Sequence, residues 1–145
     1  MRPSMLAYLT SALLSLPLYA TELPSLKLDA NITLSGLSSG AYMAGQYHLA
    51  FAEHVDGVAV IAAGPVYCAQ NSLGLALEHC FNKATSAPDM AAINTYIKQQ
   101  QAEGKLAPLS ALADDKVWIL HGSKDATVYP ALATTLYQQY QQWIK

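Results

Sequence analysis

Two adjacent serines, Ser38 and Ser39, lie between glycines in the stretch SGLSSGAYMAG. Only Ser38 occupies the centre of a G-x-S-x-G pattern, which is typical of a serine nucleophile held on a sharp turn between a strand and a helix. Gly36 and Gly40 fit this interpretation, because the strand and the helix approach each other closely at such a turn. The pattern predicts Ser38 as a nucleophile, with an ordinary Gly/Ser loop as the alternative.

Ser39 is predicted to act through its backbone. Its N–H follows the nucleophile and lies near the start of a helix, where it can donate to the oxyanion that develops on an attacked carbonyl. The two serines therefore have different predicted roles, one through its hydroxyl and the other through its N–H.

Asp125 is the predicted acid of the site. A serine nucleophile needs a histidine base, and the base needs a carboxylate that holds its orientation. In a parallel sheet such groups collect at the carboxyl ends of the strands. Asp125 follows the predicted strand 116–120 at that end, whereas Asp114 and Asp115 precede the strand. An aspartate that only shapes its turn is the alternative.

The base itself is not found by this reasoning. Hydrolases with a nucleophile on such a turn have the chain order serine, aspartate, histidine, and no histidine follows Asp125. His121 is the alternative base, although its backbone belongs to the strand and it is close to Asp125 in sequence. The sequence therefore looks cut short before its base, and we expect the chain alone to be inactive.

The other three histidines show no ligand spacing, so neither a metal nor a cofactor is predicted. His48 is interpreted as a polar-face residue of a helix and His54 as a residue at a helix C-terminus, where the dipole favours it. His79 is expected to be exposed in a loop.

Strands that alternate with helices would position these residues. This alternation predicts βαβ units, a parallel sheet with helices on its faces and therefore the α/β class. On one predicted helix Met43, Tyr47, Ala50 and Phe51 recur at helical spacing, and on the last one Leu132, Leu136, Tyr140 and Trp143 form an apolar stripe. The predicted strands span 31–35, 58–64 and 116–120; the predicted helices span 41–54, 86–101 with Ser86 as the N-cap, and a final segment from Pro130.

Residues 1–20 have the composition of a secretory signal peptide. A single positive charge precedes an uncharged apolar run, and small residues around Ala20 predict cleavage there, which leaves 21–145 as the mature chain. A transmembrane anchor is the alternative, but the run is shorter than the ~20 residues that a span needs. The net charge is −2, and the sequence has no basic run. This argues against nucleic acid as a partner and against membrane binding after cleavage.

The two cysteines, Cys68 and Cys80, are expected to form a disulfide, because disulfides persist in exported proteins. Two free buried thiols are the alternative. The neighbouring Tyr67 is predicted to border the substrate groove, because its loop leaves the same sheet edge as Ser38 and Asp125. A core tyrosine is the alternative there.

Two segments, 35–70 and 116–128, resemble the secreted single-domain poly(3-hydroxybutyrate) depolymerases and related polyester esterases. They contain the G-x-S-x-G turn, the stretch AGPVYCA and the stretch HGSKDATV. The resemblance implies a circularly permuted α/β-hydrolase fold, of which this chain is the N-terminal part. It also implies Ser38 as the nucleophile, Asp125 as the acid and Ser39 as an oxyanion donor, with the catalytic histidine and a second donor beyond Lys145.

The expected function is therefore that of an exported serine esterase that acts on hydroxyalkanoate polyester or its oligomers without a cofactor. A feruloyl- or acetyl-type esterase, or a peptidase, on the same fold is one alternative, since the fold does not decide the substrate. A non-catalytic fragment is the other.

Overall fold

The computed structural model describes residues 24–28, 30–81 and 87–144. The signal peptide predicted over 1–20 and the predicted N-cap Ser86 lie outside these residues. No helix within the three ranges combines the length and apolar character needed to cross a membrane.

Three strands alternate with four helices and one 3-10 turn along the described chain. The helix that precedes the last strand begins with Asp89 as its N-cap, whose carboxylate accepts from the N–H of Ala92. The elements are β1 (Thr33–Leu37), α1 (Ser39–Ala50), β2 (Gly57–Ile61), α2 (Leu73–His79), α3 (Met90–Ala102), a 3-10 turn (Leu109–Leu112), β3 (Lys116–Leu120) and α4 (Pro130–Tyr140).

The strands form one parallel sheet in the order β1-β2-β3. Their carboxyl ends are in register, because Leu37 pairs with Ile61 and Ile61 pairs with Leu120. The α/β class predicted from the alternation of strands and helices is therefore confirmed.

Two of the described helices, α1 and α4, cover one face of this sheet. Helix α1 packs against β1 and β2, and α4 packs against β3. Along β1 and β3 every second residue is exposed, and on the open face Leu37, Trp118 and Leu120 are 65%, 54% and 48% exposed. Parallel sheets usually have both faces covered. Among the described residues, this sheet has one face covered and one face open.

Helix α1 differs from its prediction in its bounds. It spans Ser39–Ala50 and not 41–54, and the predicted periodic residues Met43, Tyr47 and Phe51 are exposed. The buried face consists largely of small residues, because these let the helix approach the sheet closely; its members are Ala41, Ala44, Gly45, His48 and Leu49.

His48 is fully buried, so its interpretation as a polar-face residue is wrong. Its Nδ1 lies 3.0 Å from the hydroxyl of Tyr140, and its Nε2 lies 2.9 Å from Oδ2 of Asp115. Both ring nitrogens are thus satisfied, which is what makes burial of an imidazole tolerable. The three side chains tie α1 to the start of β3 and to the end of α4.

The last strand and the last helix agree with the sequence. Strand β3 has the predicted bounds, and α4 begins at Pro130. The predicted apolar stripe of α4 and the turn after it is buried, and its members are Leu132, Leu136, Tyr140 and Trp143.

Candidate active site

Ser38 occupies a strained turn between β1 and α1. Its φ is 55° and its ψ is −123°, a backbone conformation that a residue with a side chain adopts at a cost of about 1–3 kcal/mol. Three backbone hydrogen bonds fix the turn. The N–H of Ser38 donates to the carbonyl of Ile61, and the carbonyl of Ser38 accepts from the N–H groups of Ala41 and Tyr42. The strand, turn and helix predicted around Ser38 are therefore all present.

The glycine two residues earlier makes this turn sterically feasible. A Cβ on Gly36 would overlap the carbonyl carbon and oxygen of Gly40 and would lie 2.6 Å from the nitrogen of Ala41. A Cβ on Gly40 itself would meet nothing within 4 Å. Of the two glycines that flank the serines, Gly36 is therefore the one that the close approach of strand and helix requires.

Ser39 is the first residue of α1. The first N–H groups of a helix have no partner within the helix, and the helix dipole adds partial positive charge at this end. The position of Ser39 thus suits the predicted role of its N–H as an oxyanion donor, and that role stays a prediction.

Asp125 lies in the loop after β3, and backbone N–H groups hold its carboxylate in place. Its Oδ1 accepts from the N–H groups of Thr127, at 2.8 Å, and Val128, at 3.0 Å. These two bonds hold the pKa of Asp125 below its usual value; partial desolvation opposes them, and the nearby His121 adds a smaller effect in the same direction. The carboxylate is therefore ionised at neutral pH and has a fixed orientation.

The sheet brings Ser38 and Asp125 to the same edge without direct contact. Both follow the carboxyl ends of strands that are in register, and β2 lies between those strands. Neighbouring strands are about 4.8 Å apart, so the ends of β1 and β3 are separated by roughly 10 Å. A base would have to bridge this gap.

His121 is not placed to be that base. Its ring is almost fully buried, and its Nε2 lies 2.8 Å from the carbonyl oxygen of Val128 and 3.5 Å from Oδ2 of Asp125. A carbonyl only accepts, so Nε2 carries the proton and cannot take one from Ser38. Its Nδ1 is buried and has no hydrogen-bond partner among the described residues. His121 therefore holds the loop of Asp125.

Cys68 and Cys80 form the predicted disulfide, with their Cα atoms 5.9 Å apart. The bridge is connected to the helix of the strained serine, because the hydroxyl of Tyr42 donates to the carbonyl of Cys80 at 2.7 Å. The disulfide and this hydrogen bond together fix one wall beside the turn. The contact of Tyr42 could not be predicted from the sequence, because its partner is 38 residues away.

Replacement of both Cys68 and Cys80 by serine is expected to lower the free energy of unfolding by roughly 3 kcal/mol, because the closed loop no longer restricts the unfolded chain. Denaturant titration of both proteins, with and without reductant, measures the effect. The reductant should destabilise only the protein with cysteines. Equal midpoints in all four titrations would contradict the prediction.

Tyr67 lines the same cavity as Ser39, a space of about 340 Å³. Its ring stacks on that of Tyr96, with centroids 4.2 Å apart and planes 5° apart, and its hydroxyl accepts from Asn71. Desolvation is the largest effect on Tyr67 and the nearby Tyr96 adds a smaller one, and together they raise the pKa of Tyr67 to about 12. The hydroxyl therefore stays protonated. The location fits the predicted role of Tyr67 at the substrate groove. That role remains a prediction, and no local sequence signal marks Tyr96 as the partner of Tyr67.

Within residues 24–28, 30–81 and 87–144, no cluster of three or more His, Cys, Asp or Glu side chains is arranged to hold a metal ion.

A parallel sheet with its helices, and a strained serine between strand and helix, define a partial α/β-hydrolase fold. No family model matches the chain. It is 33% identical over 127 residues to a poly(3-hydroxybutyrate) depolymerase of Delftia acidovorans, which covers 86% of this chain and 26% of that protein. It is 30% identical over 122 residues to a polyhydroxybutyrate depolymerase of Talaromyces funiculosus, which covers 83% of this chain and 34% of that protein.

Solved structures show the same similarity. The crystal structure of a PHB depolymerase from Penicillium funiculosum matches with a TM-score of 0.71 and 28% identity, over 86% of this chain and 38% of that one. A serine-to-alanine variant of a PHB depolymerase complexed with an R3HB trimer matches with the same values. The chain is thus similar to poly(3-hydroxybutyrate) depolymerases over part of their length, and the resemblance seen in its sequence is confirmed. It spans about a quarter to a third of the length of the curated relatives.

Proposed function

We propose that this chain carries the nucleophile and the acid of an exported serine esterase that hydrolyses poly(3-hydroxybutyrate)-type polyester or its oligomers. The observation that carries the proposal is the strained conformation of Ser38, with φ 55°, between a parallel strand and a helix N-terminus. Strain of this kind persists where the surrounding structure enforces it and is concentrated at functional sites. The similarity to depolymerases supports the polyester as the substrate.

In the proposed reaction, Oγ of Ser38 attacks the ester carbonyl carbon while a histidine takes its proton. The N–H of Ser39 donates to the oxyanion of the tetrahedral intermediate. The ester C–O bond then breaks, and the alkoxide leaves with the proton from the histidine. Water, activated by the same histidine, hydrolyses the acyl-enzyme and restores Ser38.

Asp125 would orient the histidine and stabilise its protonated form. Its lowered pKa and its two backbone hydrogen bonds support this role, because they keep the carboxylate charged and fixed. We propose that the histidine comes from outside the described residues. The Nε2 of His121 is hydrogen-bonded to the carbonyl of Val128. Both ring nitrogens of His48 are hydrogen-bonded, one to Tyr140 and the other to Asp115.

Export is part of the proposal. The composition of residues 1–20 supports a signal peptide, and the Cys68–Cys80 bridge supports an oxidising compartment.

A fluorophosphonate probe tests the nucleophile, because it labels only an activated serine. We expect labelling of Ser38 in the full protein, meaning this chain together with a segment that supplies the histidine, and none in the 145-residue chain expressed alone. Ser38→Ala should abolish labelling, whereas Ser39→Ala should retain it, because Ser39 acts through its backbone. Labelling of the 145-residue chain that disappears in His121→Ala would instead make His121 the base.

The substrate is tested separately by comparing polyester films with aryl esters. Release of 3-hydroxybutyrate oligomers from the film by the full protein, lost in Ser38→Ala, is the expected result. Hydrolysis of aryl esters without any release from the film would contradict the polyester and favour another carboxylesterase on the same fold.

A further inference from the structure

A cleft of about 520 Å³ runs between strand β3 and the end of helix α4. Val117 and Ile119 of the strand line one side of it. Tyr137, Tyr140 and Gln141 line the other side, at spacings of three and four residues that place their side chains on one face of a helix. We call this space the β3–α4 cleft.

Asp115 lies at the start of the β3–α4 cleft, directly before the strand. Its side chain is 10% exposed, and its Oδ2 accepts from Nε2 of His48 at 2.9 Å. Its Oδ1 has no hydrogen-bond partner among the described residues and is not fully enclosed by them. One oxygen of a largely buried carboxylate is therefore left without a donor at the cleft.

In the described parts of the chain, no cation balances the negative charge of Asp115. Nε2 of His48 carries a proton, because a carboxylate only accepts, and Nδ1 then accepts from the hydroxyl of Tyr140 at 3.0 Å. This arrangement fits a neutral imidazole, and burial lowers the pKa of His48 below its usual value. Lys116 also lines the cleft, but it is exposed and forms no ion pair with Asp115. Largely buried carboxylates are rarely unpaired, so a cationic ligand would complete this cleft.

The polar groups at the cleft match a guanidinium cation in particular. A guanidinium offers five N–H donors in one plane and no acceptor. Besides Oδ1 of Asp115, the side-chain oxygen of Gln141 can accept, since the amide nitrogen of Gln141 donates to the hydroxyl of Tyr137 at 2.9 Å. The exposed ring of Tyr137 adds a flat surface, on which a guanidinium stacks better than an ammonium group does.

From these contacts we infer that the β3–α4 cleft binds a guanidinium group, which the carboxylate of Asp115 holds. The site is separate from the proposed chemistry, because Asp115 precedes β3 and Asp125 follows it. A strand of five residues puts about 16 Å between its two ends. The inference therefore does not depend on Ser38 as a nucleophile.

Two ligands that differ in charge test the inference on the unsubstituted protein. N-acetylarginine amide carries the guanidinium, and N-acetylcitrulline amide replaces it with a neutral urea of similar shape. Titrations followed by heteronuclear NMR should show about tenfold tighter binding of the arginine ligand, because charge-assisted hydrogen bonds are stronger than neutral ones. The resonances of β3 and of the end of α4 should shift. Equal affinities for the two ligands, or shifts confined to other parts of the chain, would overturn the inference.

Asp115→Asn is the matching change in the protein. Asparagine keeps an oxygen that accepts from His48, so the fold should persist, and the unfolding midpoint checks this. The affinity for the arginine ligand should fall about tenfold, whereas that for the citrulline ligand should not change. Asp114→Asn is the control, because it removes the same charge at an exposed aspartate that does not line the cleft. An equal loss in both variants would reflect net charge alone and would refute the site.

A longer ligand distinguishes a free cation from an arginine of a polypeptide. In the described sheet β3 has a single neighbour, β2, so an extended peptide can add backbone hydrogen bonds along the other edge of β3. A capped five-residue peptide with arginine at its centre that binds no tighter than N-acetylarginine amide would support a small free cation. Binding more than about tenfold tighter, and lost in Asp115→Asn, would support a polypeptide as the source of the same guanidinium.

Discussion

Replacement of Gly36 by alanine is expected to lower the free energy of unfolding by more than about 4 kcal/mol, a size reached only when a substitution disrupts packing or backbone geometry. The new methyl group would overlap the peptide group of Gly40, which is backbone and cannot rotate away. Strand β1 and helix α1 would have to move apart, and this would disrupt the turn that holds Ser38.

Gly40→Ala is the matched control for this substitution. It adds the same methyl group four residues later, in the first turn of α1, where nothing lies within 4 Å. Alanine is favoured over glycine in a helix by up to about 1 kcal/mol, so this variant should be neutral or slightly more stable. Denaturant unfolding followed by circular dichroism measures both. Similar stabilities for the two variants would show that the close approach at Gly36 is not needed.

Replacement of His48 by alanine is expected to reduce the free energy of unfolding by about 3–5 kcal/mol, as when one partner of a buried pair is removed. The carboxylate of Asp115, whose side chain is 10% exposed, would lose its partner, and so would the hydroxyl of Tyr140. His54→Ala, at an exposed histidine just beyond the end of α1, should change stability little. In a double-mutant cycle, His48→Ala and Asp115→Ala should be far from additive, because the two side chains are in contact. Additive effects would mean that the pair contributes nothing as a pair.

The same histidine gives stability a pH dependence. Burial lowers the pKa of His48 from its usual 6.5, and the interaction with Asp115 opposes this only in part. The folded protein therefore binds fewer protons than the unfolded chain just below pH 6.5, and its stability falls as the pH drops through that range. Above pH 6.5 His48 is neutral in both the folded and the unfolded state, so this loss of stability is absent there. We expect the free energy of unfolding of His48→Ala to depend less on pH between pH 7 and pH 5. His54→Ala should keep the pH dependence of the unsubstituted protein. An equal slope in both variants would contradict this assignment.

The elements that could be predicted from the sequence are those whose signals are local. Strand β3 is a continuous apolar run with a charged start, and α4 has Pro130 at its first position and a stripe at helical spacing. The turn at Ser38 is indicated by its glycines. Parallel register then brings the turn and the loop of Asp125 to one edge, which follows from topology alone.

The features that could not be predicted depend on partners far away in the chain. His48 is separated by 67 residues from Asp115 and by 92 from Tyr140, so nothing near it in sequence marks it as buried. The buried side of α1 could not be predicted for a related reason. Large apolar residues recur on this helix, but close packing on the sheet favours small ones, and Met43 and Tyr47 are exposed.

The backbone conformation of Ser38 places the proposed catalysis and thermal stability in opposition at a single residue. Glycine adopts a positive φ without the steric penalty that serine incurs, so Ser38→Gly would relieve strain while removing the hydroxyl on which the proposed chemistry depends. A directed-evolution campaign that selects heat-resistant variants without an activity screen would therefore enrich glycine at position 38. For this protein, thermostability alone is the wrong criterion for engineering.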